Sequence, residues 1–408
     1  MRRLAAPARI AALVICALAV AVGSAWGQGP RQPLDPQQLQ QLRRAPLTLT
    51  PTLTVGEEFN DNILLNNADK RWDLITTFTP GIALQWEDPT SRLAASYSFT
   101  AEMYARNQQL NHAFDAHNFF LDGSWRPTPR WTLTASDTFN FSTNTNLVSP
   151  EGVATGRDRA FGNALSVGAV WQATTRTSVR GVASWALQRF TREELQDSDV
   201  YHAEVGVDRV FTPRLTGSLG YEIGYFDIEN EVKLTTHTPK LGLTYRFTET
   251  LTGSVSGGPT IEVPEHGDGH VVPFANAALR QRFLLGSAGV DYARYIGTAG
   301  GLGGTTMNQS VGAAVQVTSL RRGLLVDLGP RYSWVKSDDD RIDLRNFSVP
   351  LRARWRLAAW AALVGSYNFF YQRVAATVFS EVGTPLANDV DQNRFSIGLQ
   401  LGYPINFD

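Results

Sequence analysis

The sequence predicts an all-β chain, a single antiparallel transmembrane β-barrel of about eighteen strands and of the outer-membrane type. Three observations predict it. Polar and apolar residues alternate with a period of two in segment after segment, the connections between segments alternate between short and long, and an export-type leader stands in front of the first segment.

The segment 71–86 shows the alternation best. From Trp72 the even positions read Trp72, Leu74, Thr76, Phe78, Pro80, Ile82, Leu84 and Trp86, whereas Asp73, Thr77, Thr79 and Gln85 fall on the odd positions. Side chains of a strand point alternately to its two faces, so this segment has one apolar face with an aromatic near each end and one polar face. That distribution fits a strand whose outer face meets lipid at mid-height and headgroups at both ends. A soluble sandwich would bury its aromatics at mid-strand instead.

Strands are expected near 47–58, 71–86, 91–105, 115–126, 130–142, 160–172, 175–189, 199–211, 214–226, 235–247, 250–261, 271–282, 286–296, 308–319, 324–335, 346–356, 358–372 and 391–403. In 391–403, Phe395, Ile397, Leu399, Leu401 and Tyr403 share a face, and in 214–226 Leu215, Leu219, Tyr221, Ile223 and Tyr225 do. Leu363, Tyr367, Phe369 and Tyr371 form the same kind of face in 358–372. Tight connections fall at Glu87-Asp88-Pro89-Thr90, Pro127-Thr128-Pro129, Ala173-Thr174, Thr212-Pro213, Thr248-Glu249 and Leu320-Arg321-Arg322-Gly323. Long ones run over 59–70, 106–114, 143–159, 190–198, 227–234, 262–270, 297–307, 336–345 and 373–390. Short turns at one rim and long loops at the other are the usual asymmetry of outer-membrane barrels, with the short turns and both termini periplasmic. The turn at Phe283 to Leu285 has no Gly, Pro or Asn at its centre, so a count of sixteen stays open.

Residues 1–27 read as a signal peptide. Met1 to Arg9 holds three arginines, Ile10 to Val22 is apolar, and the small residues Gly23, Ser24, Ala25 and Gly27 follow. The apolar stretch is short for a retained membrane helix. Cys16, the one cysteine of the chain, lies inside it behind Ile15, too bulky for a lipoprotein cleavage site, so no disulfide framework is expected in the exported chain. Residues 28–46 read as a Pro/Gln-rich periplasmic leader in which Pro36 to Arg44 could form a short helix after Asp35. The barrel is expected over 47–408.

Charge excludes a nucleic-acid role. The chain carries 37 Lys+Arg against 38 Asp+Glu, and loss of Arg2, Arg3 and Arg9 with the leader brings the balance to about −4. The mean hydropathy of −0.18 is that of a soluble protein, yet a barrel with a wet lumen averages to such a value. Ten Trp, twelve Tyr and 21 Phe supply aromatic girdles. At the C-terminus, Gln400 to Phe407 resembles the signature read by the barrel assembly machinery, with Asp408 added after the usual terminal aromatic.

Glu57-Glu58-Phe59-Asn60-Asp61-Asn62-Ile63, followed by Pro80-Gly81-Ile82-Ala83-Leu84, resembles the opening of the type 2 family of β-barrel porins. The resemblance implies an outer-membrane porin fold, exopolysaccharide-associated in many members, and no shared chemistry. By themselves Asn60, Asp61 and Asn62 are good loop-starting residues, with a Ca²⁺ role as the alternative.

About eighteen strands enclose an aqueous channel rather than a packed interior. The expected pore-lining residues are Glu102, Glu204, Glu222, Lys240, Arg246, Arg331, Arg352 and Arg354, with His202, Asp208 and Asp327 on the same inward faces. Two readings of these charges stay open: a transverse field acting on solutes, or cross-strand pairing that only stabilises the wall. The loop 143–159, with Glu151, could fold inward, and 373–390 could be a lid. Catalytic and metal candidates are thin. His266 and His270 lie in a Gly-rich loop without a fixed face, His202 with Ser198 or Ser184 lacks an orienting group, and Asp338-Asp339-Asp340 reads as a solvated tip. No cofactor, metal or enzymatic activity is expected. Function is expected to be passage or export of hydrophilic solutes, an oligosaccharide or exopolysaccharide by the resemblance; the alternative is a non-conducting scaffold with an occluded lumen. Expected partners are outer-membrane lipid and lipopolysaccharide, the assembly machinery and polysaccharide export proteins.

Overall fold

The computed structural model describes residues 47–407 except 114–115, 150 and 319–322. The expected signal peptide, the expected leader and the helix considered within it, most of the turn 320–323 and Asp408 lie outside the described residues. The strand segments are β1 Leu47–Asn60, β2 Asp73–Glu87, β3 Ser91–Phe99, β4 Ala101–Tyr104, β5 His117–Thr128, β6 Trp131–Asn144 and β7 Arg157–Thr174. They continue with β8 Thr177–Phe190, β9 Ser198–Thr212, β10 Leu215–Ile228, β11 Leu234–Arg246, β12 Leu251–Pro264, β13 Val271–Phe283 and β14 Gly286–Thr298. The last are β15 Thr305–Val317, β16 Leu324–Leu328, β17 Arg331–Lys336, β18 Asp343–Ala358, β19 Ala361–Ala376, β20 Val390–Gly402 and β21 Ile405–Phe407.

Three of these spanning strands are interrupted: β3 and β4 at Thr100, β16 and β17 at Gly329-Pro330, β20 and β21 at Tyr403-Pro404. Both members of each pair lie against the same neighbour, so the 21 segments make eighteen spanning strands. Pro330 and Pro404 supply no N–H to the ladder, which is why pairing lapses beside them. Every strand pairs antiparallel with its neighbours, and β1 pairs with β2 on one side and with β20 and β21 on the other, which closes the barrel. The turn that left the count open is real. Leu284 stands almost fully exposed at its tip, and Gly286 takes a φ of +154° where an added Cβ would lie 1.9 Å from the Gln316 carbonyl oxygen. Glycine is required there, one residue past the stretch Phe283 to Leu285.

The outer face carries the belt that the alternation predicts. Trp86, Trp125, Trp131, Trp171, Phe211 and Trp360 are exposed at the short-turn rim, and Phe59, Trp72, Phe161, Tyr201, Tyr225 and Phe395 toward the long-loop rim. Between them lie aliphatic residues such as Leu53, Ile82, Val205 and Leu241, also exposed. Such a surface is stable against lipid and not against water.

The seam between first and last strands is clamped by the residues that opened the chain. Asn60 Oδ1 accepts from the backbone N–H of Asn62 at 3.0 Å, and Gln392 Nε2 donates to the same oxygen at 3.1 Å. The backbone N–H and Nδ2 of Asn393 donate to Asp61 at 2.7 and 2.8 Å, and Lys70 Nζ lies 3.3 Å away. With Asp61 so engaged, the turn-forming reading of Asn60-Asp61-Asn62 accounts for all three side chains.

Candidate functional site: a narrowed polar lumen

Inside the barrel lies a cavity of about 1120 Å³. Strand alternation places there the hydroxyls and amides of Thr77, Thr79, Asn118, Asn140, Asn276 and Ser348, among others, and most of the inward charges. Glu102, Glu204, Glu222, Lys240, Arg331 and Arg352 line it. Arg246 and Arg354 are not among its lining residues; Arg246 is the last residue of β11, at the short-turn rim, and Arg354 lies four residues from the end of β18 at the same rim.

The charges are held in pairs. On β8 to β11, Arg180 Nη2 donates to Glu204 Oε1 at 2.9 Å and Arg180 also bonds Asp208. Lys240 Nζ donates to Glu204 Oε2 at 2.9 Å and to Glu222 Oε2 at 2.7 Å. Glu204 and Glu222 stand directly opposite one another, a destabilising register that the ammonium between them offsets. Gly206 makes room for this ladder, since a Cβ there would meet the Arg180 guanidinium at 2.7 Å. Across the lumen Arg394 grips Glu58 through two bonds of 2.9 Å, and Arg331 donates to Asp291 and to Ser310 at 2.9 Å each. Glu102 accepts from Tyr104 Oη at 2.6 Å and lies 3.2 Å from His112 Nε2. Cross-strand pairing is therefore what the geometry displays. Arg352 stands apart from these pairs, facing Asp327 across the β16–β18 register and exposed to the cavity.

Loop 3, residues 145–156 between β6 and β7, folds inward and narrows this space. Asn146, Leu147, Val148, Ser149, Glu151 and Gly152 line the cavity. Its tip crosses to distant strands: the Glu151 carbonyl accepts from Ser333 Oγ at 3.5 Å and Asn346 Nδ2 at 3.3 Å. The Glu151 carboxylate accepts from Asn308 Nδ2 and Ser149 Oγ, each at 3.2 Å. With no cation beside it, burial pushes this carboxyl up to about 7. Gln372 of β19, fully buried, accepts from the Ala154 N–H at 2.9 Å and donates to the carbonyls of Ala154 at 2.8 Å and Asn388 at 3.0 Å. One side chain thus ties loop 3 to loop 9, residues 377–389.

Sequence reasoning missed an apolar cap over the long-loop end. Val153 of loop 3, Leu195 of 191–197, Ala299 and Leu302 of 299–304, Ile342 of 337–342 and Leu386 and Ala387 of loop 9 form one buried cluster with Val335 and Leu344. The signal available was single aliphatic residues stranded in polar or Gly-rich loops.

The remaining candidates are spread out. His266 and His270 are exposed, and among the described residues no three His, Cys, Asp or Glu side chains group as metal ligands. Asp339 bonds Ser337 and Arg341, and Asp340 pairs with Lys336. His202 stands opposite Ser184 in register, and its Nδ1 lies 3.7 Å from Glu222 Oε1, longer than the roughly 3.2 Å reach of an oriented base.

No family model and no curated protein matches the chain. Among solved structures it is similar to OpdL of Pseudomonas aeruginosa, at 13% identity and a TM-score of 0.42 over 87% of this chain and 99% of that one. It is similar to OccAB4 of Acinetobacter baumannii at 11% identity and a TM-score of 0.43, over 89% of this chain and 99% of that one. The siderophore receptor PirA of Pseudomonas aeruginosa follows at 11% identity and 0.39, over 87% of this chain and 80% of that one.

Proposed function

We propose that the chain is an outer-membrane channel for small hydrophilic solutes, with both termini periplasmic and loop 3 as its constriction. The carrying observation is a polar cavity of about 1120 Å³ inside a barrel whose outer belt is apolar. Eighteen strands leave room for water, and a lining of hydroxyls, amides and mutually neutralised charges suits uncharged polar solutes better than ions of one sign. Five carboxylates (Glu58, Glu102, Glu204, Glu222, Asp291) face five cations (Arg180, Lys240, Arg331, Arg352, Arg394) on the cavity wall, with Glu151 above them. An oligosaccharide or exopolysaccharide is the finer reading; it draws on that neutral lining and on the resemblance carried by Glu57 to Ile63, and it would bring polysaccharide export proteins as partners.

A second reading follows from the apolar cap: the barrel is closed at its long-loop end until the loops are displaced. Swelling of proteoliposomes in sugars of increasing size tests both. Uptake of small sugars with a sharp size limit supports the channel. Exclusion of every sugar by the native chain, with uptake after removal of 379–385, supports the closed barrel, and exclusion by both chains contradicts transport.

A further inference from the structure

The wall built from β5 to β8 carries a polar pair where the belt should be apolar. Along β6 the outward positions run Trp131, Leu133, Ala135, Asp137, Phe139 and Phe141; Trp131 stacks on Trp171, and Phe139 meets Phe161 at 6.1 Å between ring centroids. Asp137 shares the parity of exposed Trp131 and stands opposite exposed Leu165, so it points away from the cavity, which Asn140, Ser142 and Asn144 line along with the loop-end Phe141. Asn163, outward on β7, donates from Nδ2 to Asp137 Oδ1 at 2.6 Å. Leu121 and Leu165 stand directly opposite Asp137 on the flanking strands.

Asp137 lies six residues beyond the girdle residue Trp131, about 15 Å into the membrane for a strand tilted by roughly 40°. Outward charges elsewhere lie toward a loop-end terminus, where headgroups reach them: Arg189 and Asp199 within two residues of it, Glu57 and Arg373 three residues and Arg294 four residues from it. Acyl chains offer neither donor nor acceptor to a carboxyl at mid-depth; Asn163 Nδ2 also donates to the Thr138 carbonyl at 3.4 Å, so the groups left open are the second carboxyl oxygen and the amide oxygen. Beside the pair the wall is dented: Val167, Ala183, Trp185, Tyr201 and Ala203 border an apolar hollow of about 400 Å³. Fluid chains need no such relief, whereas a rigid wall packing on another does.

We propose that this face is an isologous contact between two copies of the chain, centred on Asp137 and Asn163. A carboxyl and a carboxamide side by side are self-complementary: about a two-fold axis, a carboxyl O–H of Asp137 in each copy donates to the Asn163 amide oxygen of the other. The proposal rests on the membrane-spanning reading of the belt.

The test is disulfide trapping in native membranes, using the full chain with Cys16→Ser and one new cysteine. Ala135→Cys, outward and two residues from the pair, is expected to give a dimer on oxidation; Val255→Cys, outward on β12, is not. Asp137→Leu or Asn163→Ala added to Ala135→Cys is expected to cut the dimer by at least about tenfold, as loss of about 1.4 kcal/mol would. Heat-modifiable migration in each variant verifies that the barrel still forms, and its absence in the parent chain would count against the membrane barrel itself. Equal trapping at 135 and 255, trapping unaffected by Asp137→Leu, or an adduct whose mass is not twice that of the chain would each overturn the two-copy contact.

Discussion

Replacing Gln372 with alanine should release both loops that narrow the lumen, because no other residue described here bonds to loop 3 and loop 9 together. The substitution removes three hydrogen bonds of 2.8 to 3.0 Å. It leaves the Ala154 N–H, the Ala154 carbonyl and the Asn388 carbonyl without partners beneath an apolar cap. An unpaired buried polar group costs about 1–3 kcal/mol; with partial recovery by lumen water, the docked arrangement loses about 3–5 kcal/mol. That shifts the ratio of docked to released loops by about two to three and a half powers of ten. Single-channel recording in planar bilayers reads the change as larger and noisier steps, and polyethylene glycol exclusion reads it as a wider limit. Ser366→Ala, at a lining residue whose hydroxyl, among the described residues, bonds across to Ser396, serves as the control. Identical step size, noise and exclusion limit in Gln372→Ala and the native chain would refute the latch.

Further outcomes follow from the same lumen. Burial raises the Glu151 carboxyl from 4.5 to about 7, so the docked loop prefers the protonated form. Docking is then fully favoured below pH 4.5, weakens as pH rises through that window and levels off above about 7, by at most about 3 kcal/mol and less where water reaches the carboxyl. Channel noise should accordingly be greater at pH 8 than at pH 5, and Glu151→Gln, which keeps an acceptor for Asn308, should abolish the difference. Lys240→Gln leaves Glu204 and Glu222 facing each other and adds one negative charge to the wall, so the reversal potential in a salt gradient should move toward cation selectivity; an unchanged potential would contradict the lining assigned here. Glu58→Ala leaves the partly buried Arg394 unpaired at the closure seam and should cost up to about 3 kcal/mol, less where lumen water reaches it, seen as heat-modifiable unfolding at lower temperature.

The barrel was legible because each strand carries its own record. The even-numbered run from Trp72 to Trp86 needs no knowledge of its neighbours to assign a face, and Glu87 to Thr90 marks its own turn. Legibility failed where the determining residue acts across the sheet. Gly286 is demanded by the Gln316 carbonyl on the next strand, which nothing near Phe283 announces. The breaks at Pro330 and Pro404 follow from the ladder rather than from alternation, which continues through them. For the site, parity assigns Glu102, Glu204, Glu222, Lys240, Arg331 and Arg352 to the lumen side together with Arg246 and Arg354, but it does not say how far along the strand the cavity reaches, and the last two stand near the short-turn rim. Pairing partners such as Arg180 with Glu204, 24 positions apart, need the register. The cap is the extreme case. Val153, Leu195, Leu302, Ile342 and Leu386 come from five loops, and each alone reads as a stray apolar residue in a polar segment.

The central claim is that water and small polar solutes cross this barrel through a lumen narrowed by loop 3. Its most direct measurement is single-channel conductance of the purified full chain in a planar bilayer, over a range of salt and with added oligosaccharide. The account predicts discrete steps that scale with salt, favour neither ion strongly and are interrupted by sugar. A heat-modifiable barrel that inserts yet never conducts, in the native chain and in Gln372→Ala alike, would contradict it.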